Sequence, residues 1–250
     1  MKIALIAPIG NLEQTRRGDI HMCLTHLVLE SKEYASFYKE ETKYKMLDNG
    51  AFEGHGQPIH IVVKAAAMVN AQEIVLPDTL HDMEHTLYQT HYSIDWLKRN
   101  NLLGKYKLMA AVQGSTKAEW WDCFAKMMGI PELDVIGLSK ISCPAAFNDS
   151  ISGARLEITN FIELEKRHLE GKQFHLLGGS HQILTEIAKQ PRWVRSIDTS
   201  APFEYGKHRL SLDKVKSALK SKVKFHQKIK KYNQSFVDRN IELLTRRESR

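Results

Sequence analysis

The sequence predicts an α/β protein, a (β/α)8 TIM barrel with a basic helical C-terminal extension. Three observations carry this. Short apolar runs alternate with helix-forming stretches along most of the chain, the pattern of βα units around a parallel sheet. Eight such runs are present, which suits a closed barrel better than an open doubly wound sheet, the alternative if the count is off by one. The length of 250 residues fits a single barrel.

In chain order the strand candidates are KIALIAP (2–8), CLTHLVL (23–29), YKMLDN (44–49), EIVLPD (73–78), KLMAAVQ (107–113), DVIGLS (134–139), QFHLLGG (173–179) and VRSIDTS (194–200). Between most of them lie stretches of helix formers with apolar spacings of three and four, over 31–41, 59–70, 82–100, 117–128, 154–170 and 181–190. After Ser211 the run LDKVKSALKSKVKFHQKIKKY reads as an amphipathic basic helix. Its Leu212, Val215, Leu219, Val223 and Ile229 would face the barrel, and its lysines water. A short helical stretch follows near 241–244, and the terminal RRESR is expected to fray. The organisation expected is a barrel over 1–210 and a basic helical segment over 211–250 that completes it.

Apolar residues make up 42% of the chain, enough to bury a core and to exclude wholesale disorder. No apolar run spans a bilayer, and MKIALIAPIG lacks the long apolar region and cleavage site of a leader, so it reads as a first strand and the protein as cytoplasmic. Cys23, Cys123 and Cys143 lie far apart and read as small buried hydrophobes in a reducing compartment. The net charge of +7 is unevenly placed: from Lys207 onward there are fourteen Lys or Arg against four Asp or Glu, a net +10, which leaves the preceding residues at −3. A near-neutral body with a basic end points to a polyanionic partner, with a solvated helix face as the alternative.

In such a barrel, chemistry sits at the C-terminal ends of the strands. Reading those ends yields Asp48 in LDNGAFE, Asp78 in LPD, Gln113 in AVQGS, Gly137 and Ser139 in VIGLS, Gly178 and Gly179 in HLLGGS, and Asp198 in SIDTSAPF. Asp is uncommon within strands, and each one alone would serve as a helix cap or turn residue. Three with a glutamine at one rim instead suggest a convergent polar site. The histidines are scattered, with no HxH or HExxH pair. His55, His60 and His181 carry no signal, His175 inside an apolar strand reads as core, and a metal role for His81 beside Asp78 is the lesser reading. Of Trp120 and Trp121, one is expected in the core and the other is open to base stacking.

These segments, in this order over about 44–206, resemble the tRNA-guanine transglycosylase family. LDNGAFE is similar to its DSGGFQ-type motif, AAVQGS to VQGG, VIGLS to GLAVGE, HLLGGS to YLMGVG, and SIDTSAPF to the stretch bearing its nucleophilic aspartate. The chain departs from the family's bacterial members in having Asn49, Ala51 and Glu53 where they carry Ser, Gly and Gln. It is shorter, and no cysteine follows Cys143, so a thiolate zinc site of their form cannot be built. A small, basic version lacking the zinc subdomain resembles the phage-encoded branch that places 7-deazaguanine bases into DNA.

The resemblance implies a pentosyltransferase that replaces guanine in DNA through a covalent aspartyl–sugar intermediate, with Asp198 as nucleophile and Asp48 as the acid and base. It implies base recognition by Phe52, Asp78, Gln113, Gly137, Leu177 and Gly178, and no cofactor or metal. The partners it implies are DNA (alternatively tRNA) and a free 7-deazaguanine such as 7-cyano-7-deazaguanine, in the host cytoplasm if the chain is phage-encoded. Charge adds Lys207, Arg209, Arg16 and Arg17 as candidates for phosphate contact, with the lysines of 214–231 next. Three alternatives stay open: action on RNA, a non-catalytic subunit, and an unrelated barrel enzyme using HLLGGSH as a phosphate loop.

Overall fold

The structure, a computed structural model, describes residues 1–52, 54, 56–219 and 224–246. Eight parallel strands form the barrel: β1 (Lys2–Leu5), β2 (His21–Leu24), β3 (Lys45–Asp48), β4 (Glu73–Val75), β5 (Lys107–Ala111), β6 (Val135–Ser139), β7 (Gln173–Leu177) and β8 (Ser196–Thr199). From β2 to β8 each strand pairs with its sequence neighbours, and β1 pairs with β8. The β1–β2 seam is the weakest. It is closed by a single parallel bridge between Ala4 and Ile20, and Asp19 helps by accepting the Ile3 N–H at 3.0 Å and donating its own to the Ile3 carbonyl at 2.8 Å. Strands covered by helices outside and packed side chains inside are buried on both faces, which is why VIGLS is buried throughout.

The helices that wrap the barrel begin at side-chain caps the sequence supplies. Ser31 caps α2 (Lys32–Glu40), Asp82 caps α4 (Met83–Arg99), Thr116 caps α5 (Lys117–Met128) and Ser150 caps α7 (Ile151–Leu164). Each accepts an N–H from the first turn. α3 (Ile59–Val69) ends on Asn70 in the left-handed region, a common C-terminal stop. Strand alternation then sorts the side chains, with Ile197 outside and Ser196 and Asp198 inside. At the floor of the barrel Arg195 reaches from the start of β8 to the buried Glu73 of β4, with two bonds of 2.8 and 2.9 Å. Tyr44 donates its hydroxyl to the same carboxylate at 2.7 Å.

Two expectations need correction. The second strand covers only the start of CLTHLVL: β2 begins at His21, and the second half of the run is a helix, α1 (Thr25–Glu30). The basic helix expected after Ser211 is absent among the described residues, since 211–219 and 224–230 form turns and extended chain. A helix would have stacked Lys216, Lys220, Lys224 and Lys228 at spacings of four, where like charges repel. The backbone finds distant partners instead. Asn240 accepts the Leu212 N–H at 2.9 Å, and Asn11 accepts that of Ile229 at 3.1 Å. Val223, expected on the barrel side, and the terminal residues 247–250 lie outside the described residues, as do Glu53 and His55.

The C-terminal helix is α10 (Gln234–Thr245), longer than the short stretch expected, packed on α9 (Ala201–Lys207). Between β6 and α7 lies α6 (Ser142–Phe147), and α8 (Ile183–Lys189) precedes β8. Among the described residues no helix is long and apolar enough to cross a membrane.

Candidate active site

The strand ends open into one pocket of about 520 Å³, within the range of roughly 300–1,000 Å³ usual for small-molecule sites. Asp48, Phe52, Asp78, Gln113, Leu177, Gly178 and Asp198 all line it. Gly137 does not. It lies within β6, its carbonyl takes the Val112 N–H at 3.0 Å, and a Cβ there would sit 2.6 Å from Leu177 Cδ1. Its missing side chain makes room for Leu177, which in turn forms pocket wall.

Asp198 is the most constrained of these groups. Its Oδ1 accepts the Gly178 N–H at 2.8 Å and lies 3.0 Å from His175 Nε2. His175 Nδ1 is 2.7 Å from Ser196 Oγ, which also accepts the Arg195 Nε–H at 3.0 Å. The roles are set by elimination: a carboxylate only accepts, so Nε2 carries the proton, Nδ1 accepts from Ser196, and Ser196 accepts from Arg195. A one-way chain of donors thus climbs from the barrel floor to Asp198. Burial alone would push the Asp198 carboxyl up. The His175 hydrogen bond, the Gly178 N–H and the nearby Lys140 ammonium outweigh it and hold the group below the usual aspartate range. Burial pushes the His175 imidazole down, so near neutral pH it is uncharged beside an ionised Asp198.

The loop carrying that N–H is itself fastened. Gly178 has φ +78°, and a Cβ would collide with Lys140 Cδ at 2.4 Å. The wholly buried Arg155 of α7 donates to the carbonyls of Gly178, at 2.8 Å, and Leu177, and pairs with the equally buried Glu186 of α8 at 3.3 Å. Within HLLGGSH the Gly178 N–H is thus committed to Asp198.

Across the pocket, Asp78 takes a 2.6 Å bond on each oxygen, from Asn49 on Oδ1 and from Gln113 on Oδ2. Asn49 also donates to the Leu76 carbonyl at 2.7 Å and accepts the Ala51 N–H, tying the end of β3 to β4. Gln113, wholly buried, accepts the His81 N–H on its carbonyl at 3.1 Å. Burial pushes the Asp78 carboxyl up, only partly offset by these two amides. Asp48 Oδ2 accepts the Gly50 N–H at 2.8 Å. At the rim, Lys140 Nζ lies 3.9 Å from the centroid of the Phe52 ring.

Lys140 and His175 are the site residues that sequence reasoning missed. Lys140 directly follows a strand end and was within reach of the same rule. The apolar strand around His175 predicts a satisfied core residue, and it is buried with both ring nitrogens partnered, yet one partner is Asp198. Arg16 and Arg17 are placed at the opposite, N-terminal end of the barrel. Arg16 pairs with Glu13 and, at 2.7 Å, Glu41; Arg17 pairs with Asp238 at 2.8 Å. Arg209 donates to Asn233 at 3.1 Å and stacks 4.8 Å over Tyr232. Trp120 and Trp121 both belong to an aromatic cluster with Phe124 and Phe147 outside the barrel, away from the pocket. The cysteines are buried, which pushes the Cys143 thiol up to about 12.

Fold and site together define an α/β barrel with an acidic, partly aromatic pocket at its C-terminal mouth. Compared with protein-family models and with curated proteins, the chain matches none.

Proposed function

We propose that the chain is a base-exchange pentosyltransferase that removes guanine from DNA and installs a 7-deazaguanine, as its resemblance to the tRNA-guanine transglycosylase family implies. The observation that carries this reading is Asp198, ionised and aimed into a pocket that Asp48, Asp78, Gln113 and Phe52 also line. An Asp198 oxygen attacks the anomeric carbon, the C–N glycosidic bond breaks, and its electron pair leaves with guanine as Asp48 delivers a proton to it. Asp48 then takes a proton from the incoming base. The base nitrogen attacks the same carbon and releases Asp198 as a carboxylate.

Recognition follows from hydrogen-bond capacity. Each Asp78 oxygen holds one protein donor and keeps a lone pair for the ring N–H and amino group of a guanine-like edge. Gln113 has a second amide N–H for the base carbonyl, and Phe52 stacks on the ring. The target nucleotide has to leave its stack to enter, so flipped or single-stranded substrate is expected.

The test is exchange of radiolabelled guanine into guanine-containing DNA and, separately, tRNA, with Asp198→Ala and Asp48→Ala alongside. Label entering DNA, and lost in both variants, is the expected result. Label entering only tRNA would keep the chemistry and change the polymer. No label in either, repeated with 7-cyano-7-deazaguanine, would overturn the enzyme reading.

A further inference from the structure

A second pocket, of about 460 Å³, lies beside the first. Lys207, Lys224, Lys228 and Lys230 line it together with Gln227 and Asn233, and among the described residues no carboxylate does. Among the described residues these four lysines form no ion pair; the nearby pairs are His226 with Glu30 and Arg239 with Asp213. Lys207 Nζ has a neutral partner, Gln227 Oε1 at 3.3 Å. Four ammonium groups around one concavity repel each other, and an anion seated among them would turn that repulsion into attraction.

The two pockets share a wall. Along the chain at 224–228, Phe225 and His226 face the mouth, whereas Lys224, Gln227 and Lys228 face the basic pocket. α9 is divided the same way, with Glu204 on the first side and Lys207 on the second. This strap is docked, not loose. The Phe225 carbonyl accepts the Ile9 N–H at 2.8 Å, the stem of Lys228 packs on Gly10, and Asn233 donates to the Lys207 carbonyl at 2.7 Å.

We infer that the basic pocket binds a phosphate group, and that the phosphate is one in the nucleic-acid backbone next to the nucleotide whose base enters the mouth. The second half of this inference rests on the function proposed above. It assigns the polyanion contact to a pocket at the mouth, and away from Arg16 and Arg17 at the far end of the barrel.

The test is anisotropy of a labelled, guanine-containing single-stranded DNA 12-mer between about 50 and 200 mM salt. It compares the wild-type chain with Lys207→Gln/Lys228→Gln and with Lys32→Gln/Lys39→Gln, which removes the same charge from α2. Glutamine keeps the Cβ and Cγ atoms that pack on Gly10. Losing the contact to that phosphate should lower the log–log salt slope by about 0.7 and weaken binding roughly severalfold at 50 mM salt. The α2 variant should change neither by as much. If both variants behave alike, the pocket assignment falls while the proposed function stands. If the wild type does not bind the oligonucleotide, the backbone assignment falls along with the nucleic-acid reading. Calorimetry with inorganic phosphate then separates the remaining outcomes: heat lost in the Lys207/Lys228 variant marks a site for a small phosphorylated ligand, and no heat with wild type removes the phosphate site altogether.

Discussion

Asp198 and His175 carry opposite costs of burial, and the hydrogen bond between them settles the balance. Without its donor the carboxylate would lose a charge-assisted bond worth about 1.5–3 kcal/mol. His175→Phe should therefore lower the exchange rate roughly tenfold or more with KM little changed. Because the Asp198 carboxyl would rise, the acid limb of the pH–rate profile should move to higher pH, and His175→Gln, which restores a donor, should move it back. An unmoved limb would reduce His175 to a packing residue.

The same pair sets a pH dependence of stability. Folded His175 titrates below its unfolded value of about 6.5, so the unfolded chain binds the extra proton between the two. That contribution is whole above about pH 6.5 and is lost as pH falls through the folded value; His21, lowered by burial, adds to it. Asp198, also lowered, contributes above about pH 3.9 and loses its share only as pH falls below that. Urea midpoints should drop between pH 7.5 and 5.5, and drop less in His175→Gln.

At the level of elements, α9 and α10 meet at Gly206. A Cβ there would lie 2.6 Å from Val237 Cγ2 and 2.8 Å from the Val237 backbone nitrogen, which cannot swing aside. Helix propensity favours alanine over glycine by about 1 kcal/mol, whereas overpacking costs about 1–3 kcal/mol. Gly206→Ala should thus destabilise the chain in thermal unfolding despite the better helix former. A net gain would show that α10 is loosely seated. Asn240 secures the same contact from within α10, donating to the Leu210 carbonyl at 2.9 Å as well as accepting from Leu212.

For the molecule as a whole, the floor and the mouth of the barrel are one structure. Arg195 joins β8 to β4 across the interior and also starts the donor chain that ends on Asp198. Arg195→Met would strand a buried Glu73 carboxylate and should cost about 3–5 kcal/mol in urea unfolding. The double variant Arg195→Met/Glu73→Leu should recover much of it, since it leaves no uncompensated charge. Failure of that recovery would mean the pair acts through packing alone.

Much of this was legible in one dimension. Period and composition located eight strands and most helices, because those depend on neighbours two to four residues away. Strand ends located Asp48, Asp78, Gln113 and Asp198, because topology places every such end at the same rim. Periodicity failed over 211–219 and 224–230, where an apolar stripe was outweighed by lysine repulsion and by distant side chains such as Asn11, more than two hundred residues away.

Tertiary structure alone decided the rest: which histidine touches the candidate nucleophile, that Gly137 makes room for Leu177 instead of lining the pocket, and that scattered lysines share a pocket while Arg16 and Arg17 do not reach it. These are contacts between residues tens to hundreds of positions apart. No local propensity encodes them, because they exist only once the sheet has closed.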